Sequence, residues 1–149
     1  MRAVVQRTNH SRVSINGREK AHISRGLMVL LGIKQGDNFA DGEYLMDKIV
    51  NLRIFEDDNG KMNRSLLDTN GELLMVSQFT LYGDVRKGRR PSFTAAELPD
   101  KAQPLFDYCV EFARAKGINI ETGEFGANMQ VELENDGPCT ILLDSERLF

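Results

Sequence analysis

With 149 residues, 41% of them hydrophobic and 28% charged, the chain holds enough apolar material for a packed core, and one domain spanning residues 1–149 is expected. A formal net charge of −3 and recurrent apolar runs exclude global disorder, and the acidic balance means that any RNA contact needs a local basic patch. No run approaches the ~20 apolar residues of a membrane span, no secretory h-region opens the chain, and two cysteines make no disulfide framework, so a reduced, cytoplasmic protein with free thiols at Cys109 and Cys139 is expected.

In chain order, residues 2–8 and 11–15 read as β-strands rich in Val and Ile. Asn16-Gly17 is a hairpin signal, because both residues tolerate positive φ, and residues 20–24 form the return strand. After Gly26, the run Leu27-Met28-Val29-Leu30-Leu31 is apolar on both faces and predicts a buried strand. Leu45, Ile49 and Leu52 then recur at helical spacing, which predicts a helix over 39–52, with Asp37, Asn38 and Asp41 as candidate caps. Residues 53–55 suggest a short strand, closed by the turn cluster Asp57-Asp58-Asn59-Gly60.

Asn70-Gly71 marks another turn, and residues 72–81 form the strongest strand pattern, expected to be central. A polar insert, 83–92, interrupts. Leu105, Phe106, Cys109, Val110 and Ala113 share one face of a helix predicted over 100–116, with Pro104 expected in its first turn and Gly117 as its stop. Residues 129–134 alternate as a half-exposed strand, and 140–143 close the fold. The expected class is α+β: mainly antiparallel sheets forming a partly closed, barrel-like core with two helices.

There is no GxSxG elbow, Walker loop or GxGxxG. His10, His22 and the two cysteines have no metal-ligand spacing, so neither a metal nor an organic cofactor is expected. Both histidines lie on the N-terminal hairpin, where an exposed role is the default over membership of a catalytic triad. Two segments break their local pattern. Ser77-Gln78-Phe79-Thr80-Leu81 turns polar at the exit of a buried strand; its hydroxyls either satisfy nearby main chain or form a site. Asn135-Asp136-Gly137-Pro138-Cys139-Thr140 is either an ordinary turn or a rigid main-chain clamp, since Gly permits close approach and Pro fixes φ.

Together these segments resemble the paired signature motifs of the D-aminoacyl-tRNA deacylases. The resemblance continues through the first strand, Arg53-Ile54-Phe55, Gly60-Lys61-Met62-Asn63 and Arg90-Pro91-Ser92-Phe93 to Leu143, essentially the whole chain. It implies hydrolysis of the ester between a D-amino acid, or mischarged glycine, and the 3′-terminal adenosine of tRNA. It implies a homodimer in which Ser77, Gln78, Phe79 and Thr80 of one subunit build the catalytic pocket. The Gly137-Pro138 pair, cis in the family, enters from the other subunit and meets the substrate's α-amino group with its carbonyls. An L side chain is then excluded by steric conflict. A related subfamily with a trans Gly-Pro arrangement is disfavoured by the wording of the Ser77 motif.

By the same resemblance, main-chain N–H groups around residues 77–79 stabilise the oxyanion, and the adenosine 2′-OH assists. Thr80 is either a nucleophile or a positioning residue; with no base in its motif, positioning is favoured. Arg7 matches the arginine that braces the Gly-Pro loop, Met129 and Phe125 match the adenine pocket, and Asn135 fixes the loop. Cys139 stands where the family usually has Val. Arg86, Lys87, Arg89 and Arg90 form the one basic run, either a solvated loop or a phosphate contact. Two rival readings are a non-catalytic tRNA-binding module and a hydrolase of small esters with Thr80 or Cys139 as nucleophile.

Overall fold

One long strand, β1 (Arg2–Ile15), runs through the whole molecule where the sequence suggests two. The computed structural model describes residues 1–149. Asn16 and Gly17 have φ of 50° and 73°, the geometry a two-residue hairpin needs, and lead into β2 (Arg18–Ile23), antiparallel to the far half of β1. The near half of β1 pairs antiparallel with β3 (Gly26–Gly32). The first helix, α1 (Phe39–Asn51), starts at Asn38. The Asn38 side chain accepts from Ala40 N at 2.9 Å, and the Asp41 carboxylate accepts from Asn38 N at 2.9 Å, a reciprocal cap. Next come β4 (Phe55–Glu56), β5 (Met62–Arg64), the one-turn α2 (Leu66–Thr69) and β6 (Glu72–Ser77). A 3-10 turn (Phe79–Tyr82) precedes α3 (Pro99–Arg114), β7 (Asn119–Thr122) and β8 (Gln130–Asp144).

The main sheet has the order β2-β1-β3-β6-β7, and β8 pairs along nearly all of β1 from Arg2 to Ser14. This curls the sheet into the expected partly closed barrel-like core. The sheet is mixed, however. β6 is parallel to both β3 and β7, because helical crossovers return the chain to the same edge before each strand begins.

The apolar run of β3 is buried on both faces, as its composition requires. Leu27, Val29 and Leu31 join Leu73 and Met75 of β6 beneath α1 and α3, which contribute Leu45, Met46, Ile49, Phe106, Cys109 and Val110. Met28, Leu74 and Val76 face the other way, against Val13, Ala21 and Ile23 of the hairpin. Each fully buried Leu or Ile contributes roughly 2 kcal/mol, so these two strands are the energetic centre of the fold.

Three expectations need correction. The 72–81 strand stops at Ser77 and tightens into the 3-10 turn. The Asp136-Gly137-Pro138 segment is no turn between strands: β8 runs through it, with pairing irregularities opposite Gln6, Thr8 and His10. Pro104 is the sixth residue of α3, past the first turn. It lies on the exposed face, so water can serve the Asp100 carbonyl that loses its helical donor. No helix is long and apolar enough to cross a membrane.

Candidate active site

Ser77 ends β6, and Gln78 N still donates to Leu31 O at 2.9 Å, the last tie to β3. The chain then winds into the 3-10 turn, with Leu81 N donating to Gln78 O at 3.3 Å and Gly83 N to Thr80 O at 2.9 Å. The N–H groups of Phe79 and Thr80 open this turn, and first-turn amides have no partner within their own helix. Arg2 holds the turn from outside. Its Nη1 donates to Leu81 O at 3.3 Å and its guanidinium lies 4.7 Å from the Tyr82 ring centroid. Its Nε is fixed by the buried Asp144 at 3.0 Å.

Ser77, Gln78 and Phe79 line a cavity of about 530 Å³, together with Phe93, Phe125 and Met129. The opposite wall is the segment before α3. Glu97 N donates to Ile33 O at 2.9 Å and Gln35 N to Ala95 O at 3.0 Å, which sews residues 93–97 to the chain leaving β3. The rings of Phe79 and Phe93 meet edge to face at 5.1 Å. Met129 reaches in over Gly123, where a Cβ would stand 2.5 Å from its sulfur, so a side chain there would push the thioether aside. Eleven of the 17 lining residues are hydrophobic, which suits a flat aromatic base better than a charged group. Phe93, Leu98, Pro99 and Ala102 of this wall are not among the site residues expected from the sequence, where Phe93 appears only within the Arg90-Pro91-Ser92-Phe93 stretch. Two apolar residues, Phe93 and Leu98, standing in a mostly polar stretch just ahead of Pro99 were the available signal.

Thr80 does not line the cavity. Its hydroxyl accepts from Gln78 Nε2 at 2.5 Å, and an amide cannot take its proton. His22 pairs with Glu19 on the exposed hairpin, and His10 sits opposite Glu134 on β8, so neither is a base for it. Cys139 is buried within the main core, which disfavours it as a nucleophile.

The remaining predicted residues form a second cluster. The Asn135 amide donates to Arg7 O at 3.0 Å and to Cys139 O at 2.9 Å, and its oxygen accepts from Cys139 N at 3.2 Å. Buried Arg7 donates to Asp136 O at 3.1 Å and to Ile54 O, and pairs with the Asp136 carboxylate at 3.1 Å. The Gly137–Pro138 peptide bond is cis, and both residues are exposed. Across the sheet, Ser77 pairs with Leu31, Leu31 with Ala3 and Ala3 with Leu143, whereas Gly137 lies between the Thr8–Asn135 and Gln6–Thr140 pairs. Neither Arg7 nor any of residues 135–139 lines the cavity, so the two clusters are separate within one chain.

Residues 4–144 match the protein family described as D-Tyr-tRNA(Tyr) deacylase. The chain belongs to that family. It is 67% identical over 149 residues to the D-aminoacyl-tRNA deacylase of Syntrophomonas wolfei subsp. wolfei, covering 100% of both chains. It is 57% identical over 150 residues to the D-aminoacyl-tRNA deacylase of Thermosipho melanesiensis, again covering 100% of both. Among solved structures, the c-Myc DNA Unwinding Element Binding Protein matches with a TM-score of 0.91 and 42% identity, over 97% of this chain and 98% of that one. In this D-Tyr-tRNA(Tyr) deacylase family member the Ser77 segment is held by main-chain bonds and the Gly137-Pro138 segment by the Asn135 and Arg7 side chains.

Proposed function

We propose that this chain hydrolyses the ester between a D-amino acid and the 3′-terminal adenosine of tRNA, and the corresponding glycine ester, in the cytoplasm as a proofreading step of translation. The observation that carries this reading is the full-length family match in a chain whose Ser77-Gln78-Phe79 segment lines an apolar cavity. The adenine lies in that cavity against Phe125 and Met129, where base–aromatic stacking is worth about 1–3 kcal/mol. The ester carbonyl then reaches the N–H groups that open the 3-10 turn. Water adds to that carbon, the bond to the ribose 3′ oxygen breaks, and the proton ends on that oxygen. Preorganised N–H donors aimed at the oxyanion contribute without any reactive side chain. Thr80 positions the turn through Gln78 and forms no covalent intermediate.

The working unit in this proposal is a homodimer. The Gly137-Pro138 pair of one chain enters the cavity of its partner, where its carbonyls accept from the substrate's α-amino group. What supports this is the separation of the two clusters within one chain and the exposure of Gly137, Pro138 and Phe79. Arg7 and Asn135 brace the pair from behind. Stereochemical choice follows from exclusion: an L side chain collides with main chain, whereas glycine has nothing to collide and is hydrolysed.

The test is deacylation of D-Tyr-tRNA beside L-Tyr-tRNA and Gly-tRNA with purified protein. Turnover of the D and glycyl esters with the L ester spared is expected; equal rates on D and L esters would end the proposal. The lack of a base beside Thr80 favours one alternative, a tRNA-binding module without catalysis, and tight binding with no turnover would select it.

A further inference from the structure

The 3-10 turn of the site runs directly into a basic loop that neither the fold nor the cavity uses. Its ends are clasped: Asp84 N donates to Ser92 O at 2.8 Å and Ser92 N to Asp84 O at 2.9 Å. Gly88, at φ +84°, turns the chain at the tip. Within this short loop lie Arg86, Lys87, Arg89 and Arg90, four of the chain's 19 basic residues in a protein of net charge −3. Asp84 engages Arg86 through both carboxylate oxygens, at 2.9 and 2.7 Å. That ion pair is the only one in the loop, so Lys87, Arg89 and Arg90 stand exposed with no acidic partner. A polar hollow of about 590 Å³ opens between Asp84, Arg86, Lys87, Arg90 and Ser92, with no apolar residue in its wall.

The position of this loop gives it meaning. It leaves the site at Gly83 and returns at Phe93, whose ring packs on Phe79 at the cavity. A Cβ on Gly83 would lie 3.0 Å from the Phe93 ring, so the two feet of the loop are in close contact. An apolar, aromatic seat for one base therefore adjoins three unpaired cations. A single nucleoside would use only the first. A strand of RNA ending in that nucleoside would use both, its phosphates falling on guanidinium and ammonium groups that suit them.

We propose that the Asp84–Ser92 loop binds the phosphates of the single-stranded 3′ end of the tRNA through Lys87, Arg89 and Arg90, while the terminal adenosine occupies the cavity. This rests on the deacylase reading for the identity of the RNA. Each phosphate neutralised on a single strand adds about 0.7 to the slope of log affinity against log salt, so three add roughly 2. Between roughly 50 and 200 mM salt the three contacts then cost about 20-fold in affinity.

The experiment is a salt titration of binding to uncharged tRNA by the wild-type protein, K87Q/R89Q/R90Q and the milder R89Q/R90Q. The same tRNA cut back to remove its 3′ single strand is the second ligand, and R18Q/K20Q, which removes charge from β2, is the control. Because the clasp is made by main chain, both loop variants are expected to keep the wild-type melting temperature; if the triple variant melts early, the double variant decides. The expected slope falls by roughly 2 in the triple and 1.4 in the double variant, is unchanged in R18Q/K20Q, and loses its dependence on the loop with the shortened tRNA. Equal slopes for wild type and loop variants overturn the proposal. So does a fall of the same size in R18Q/K20Q, or a loop effect that persists on the shortened tRNA. Binding needs no turnover, so absent D-Tyr-tRNA hydrolysis would refute the deacylase reading and leave this comparison decisive.

Discussion

Asn135 bonds to Cys139 through both ends of its side-chain amide, donating at 2.9 Å and accepting at 3.2 Å across the Asp136-Gly137-Pro138 segment. A third bond, to Arg7 O at 3.0 Å, fixes the same amide to β1. The exposed Gly-Pro pair is thus held from behind by a side chain that both donates and accepts. Asn135→Asp keeps the size and loses the donor, turning a carboxylate toward two carbonyl oxygens. It is expected to lower D-aminoacyl-tRNA turnover by about 100-fold, the scale of loss when a positioned group moves by an ångström. Far-UV circular dichroism should stay that of the wild type. Wild-type turnover in Asn135→Asp would show that the amide ring is dispensable.

Arg7 reaches the same segment from β1. Its guanidinium is buried and serves the Ile54 carbonyl as well as Asp136, a divergent set that a lysine ammonium cannot span. Arg7→Lys is expected to destabilise the protein by about 2–4 kcal/mol, through unmet carbonyls and a less well-served buried charge. Gly137→Ala presses from the other direction. Its Cβ would lie 2.9 Å from Cys139 N and 3.2 Å from Arg7 Nη2, at φ +138°. It should lower turnover, because the strain shifts the exposed Gly-Pro pair, and cost some stability as well, because the atoms it meets belong to the buried Cys139 and Arg7. Urea unfolding and deacylation rates, measured on both variants, separate the two effects, and a Gly137→Ala protein with full activity would refute the role of this segment.

The dimer proposal has its own test. A protein carrying Gly137→Ala and one altered at the cavity, Phe79→Ala, are each expected to be poorly active. When they are unfolded together and refolded, mixed dimers hold one site with both halves intact, restoring about a quarter of wild-type sites in an equal mixture. Sedimentation gives the oligomeric state. A monomer, or a mixture no more active than its components, would exclude a shared site.

Much of this was readable from residue order, for local reasons. The runs of β3 and β6 are apolar on both faces and had to be interior. Asn16-Gly17 and the cap at Asn38 carry their geometry in their side chains. Parallel pairing of β6 with β3 and β7 was hidden, because hairpin signals speak only for neighbours in sequence. Residues 79–81 look like strand; Arg2, from the other end of the chain, grips Leu81 O and the Tyr82 ring beside the 3-10 turn. The motif residues of the site were legible as motifs. Its far wall, 93–99, was not, because bonds to Ile33 and Gln35 place it and no periodicity announces it.

Thr80 separates a positioning role from a covalent one. Its hydroxyl takes one hydrogen bond from Gln78, a contact of about 1 kcal/mol. Thr80→Ala should therefore reduce kcat by no more than about tenfold, and Thr80→Ser should restore it. No acyl-enzyme burst is expected. Complete loss in Thr80→Ala together with a trapped ester on the hydroxyl would reverse the assignment.

Cys109 gives a prediction on alkaline stability. Burial pushes its thiol up from an ordinary 9.0 to about 12, and nearby Asp37 adds to this while the terminal ammonium of Met1 opposes it. The folded chain therefore keeps this proton where the unfolded chain releases it. Stability from the neutral thiol is fully present below about pH 9 and is lost as pH rises toward 12. Three pKa units correspond to at most about 4 kcal/mol. Cys109→Ala loses this term at every pH and also leaves a small void beside Gly42, where the sulfur now packs 2.6 Å from an ideal Cβ position. The urea midpoint of the wild type should exceed that of Cys109→Ala at pH 8, and the gap should close between pH 9 and 12. Parallel curves for the two proteins would mean that the thiol titrates alike in both states. Thiol reagents at pH 8 should likewise modify Cys109 and the buried Cys139 only as fast as the chain opens, and immediate labelling of the folded protein would contradict their burial.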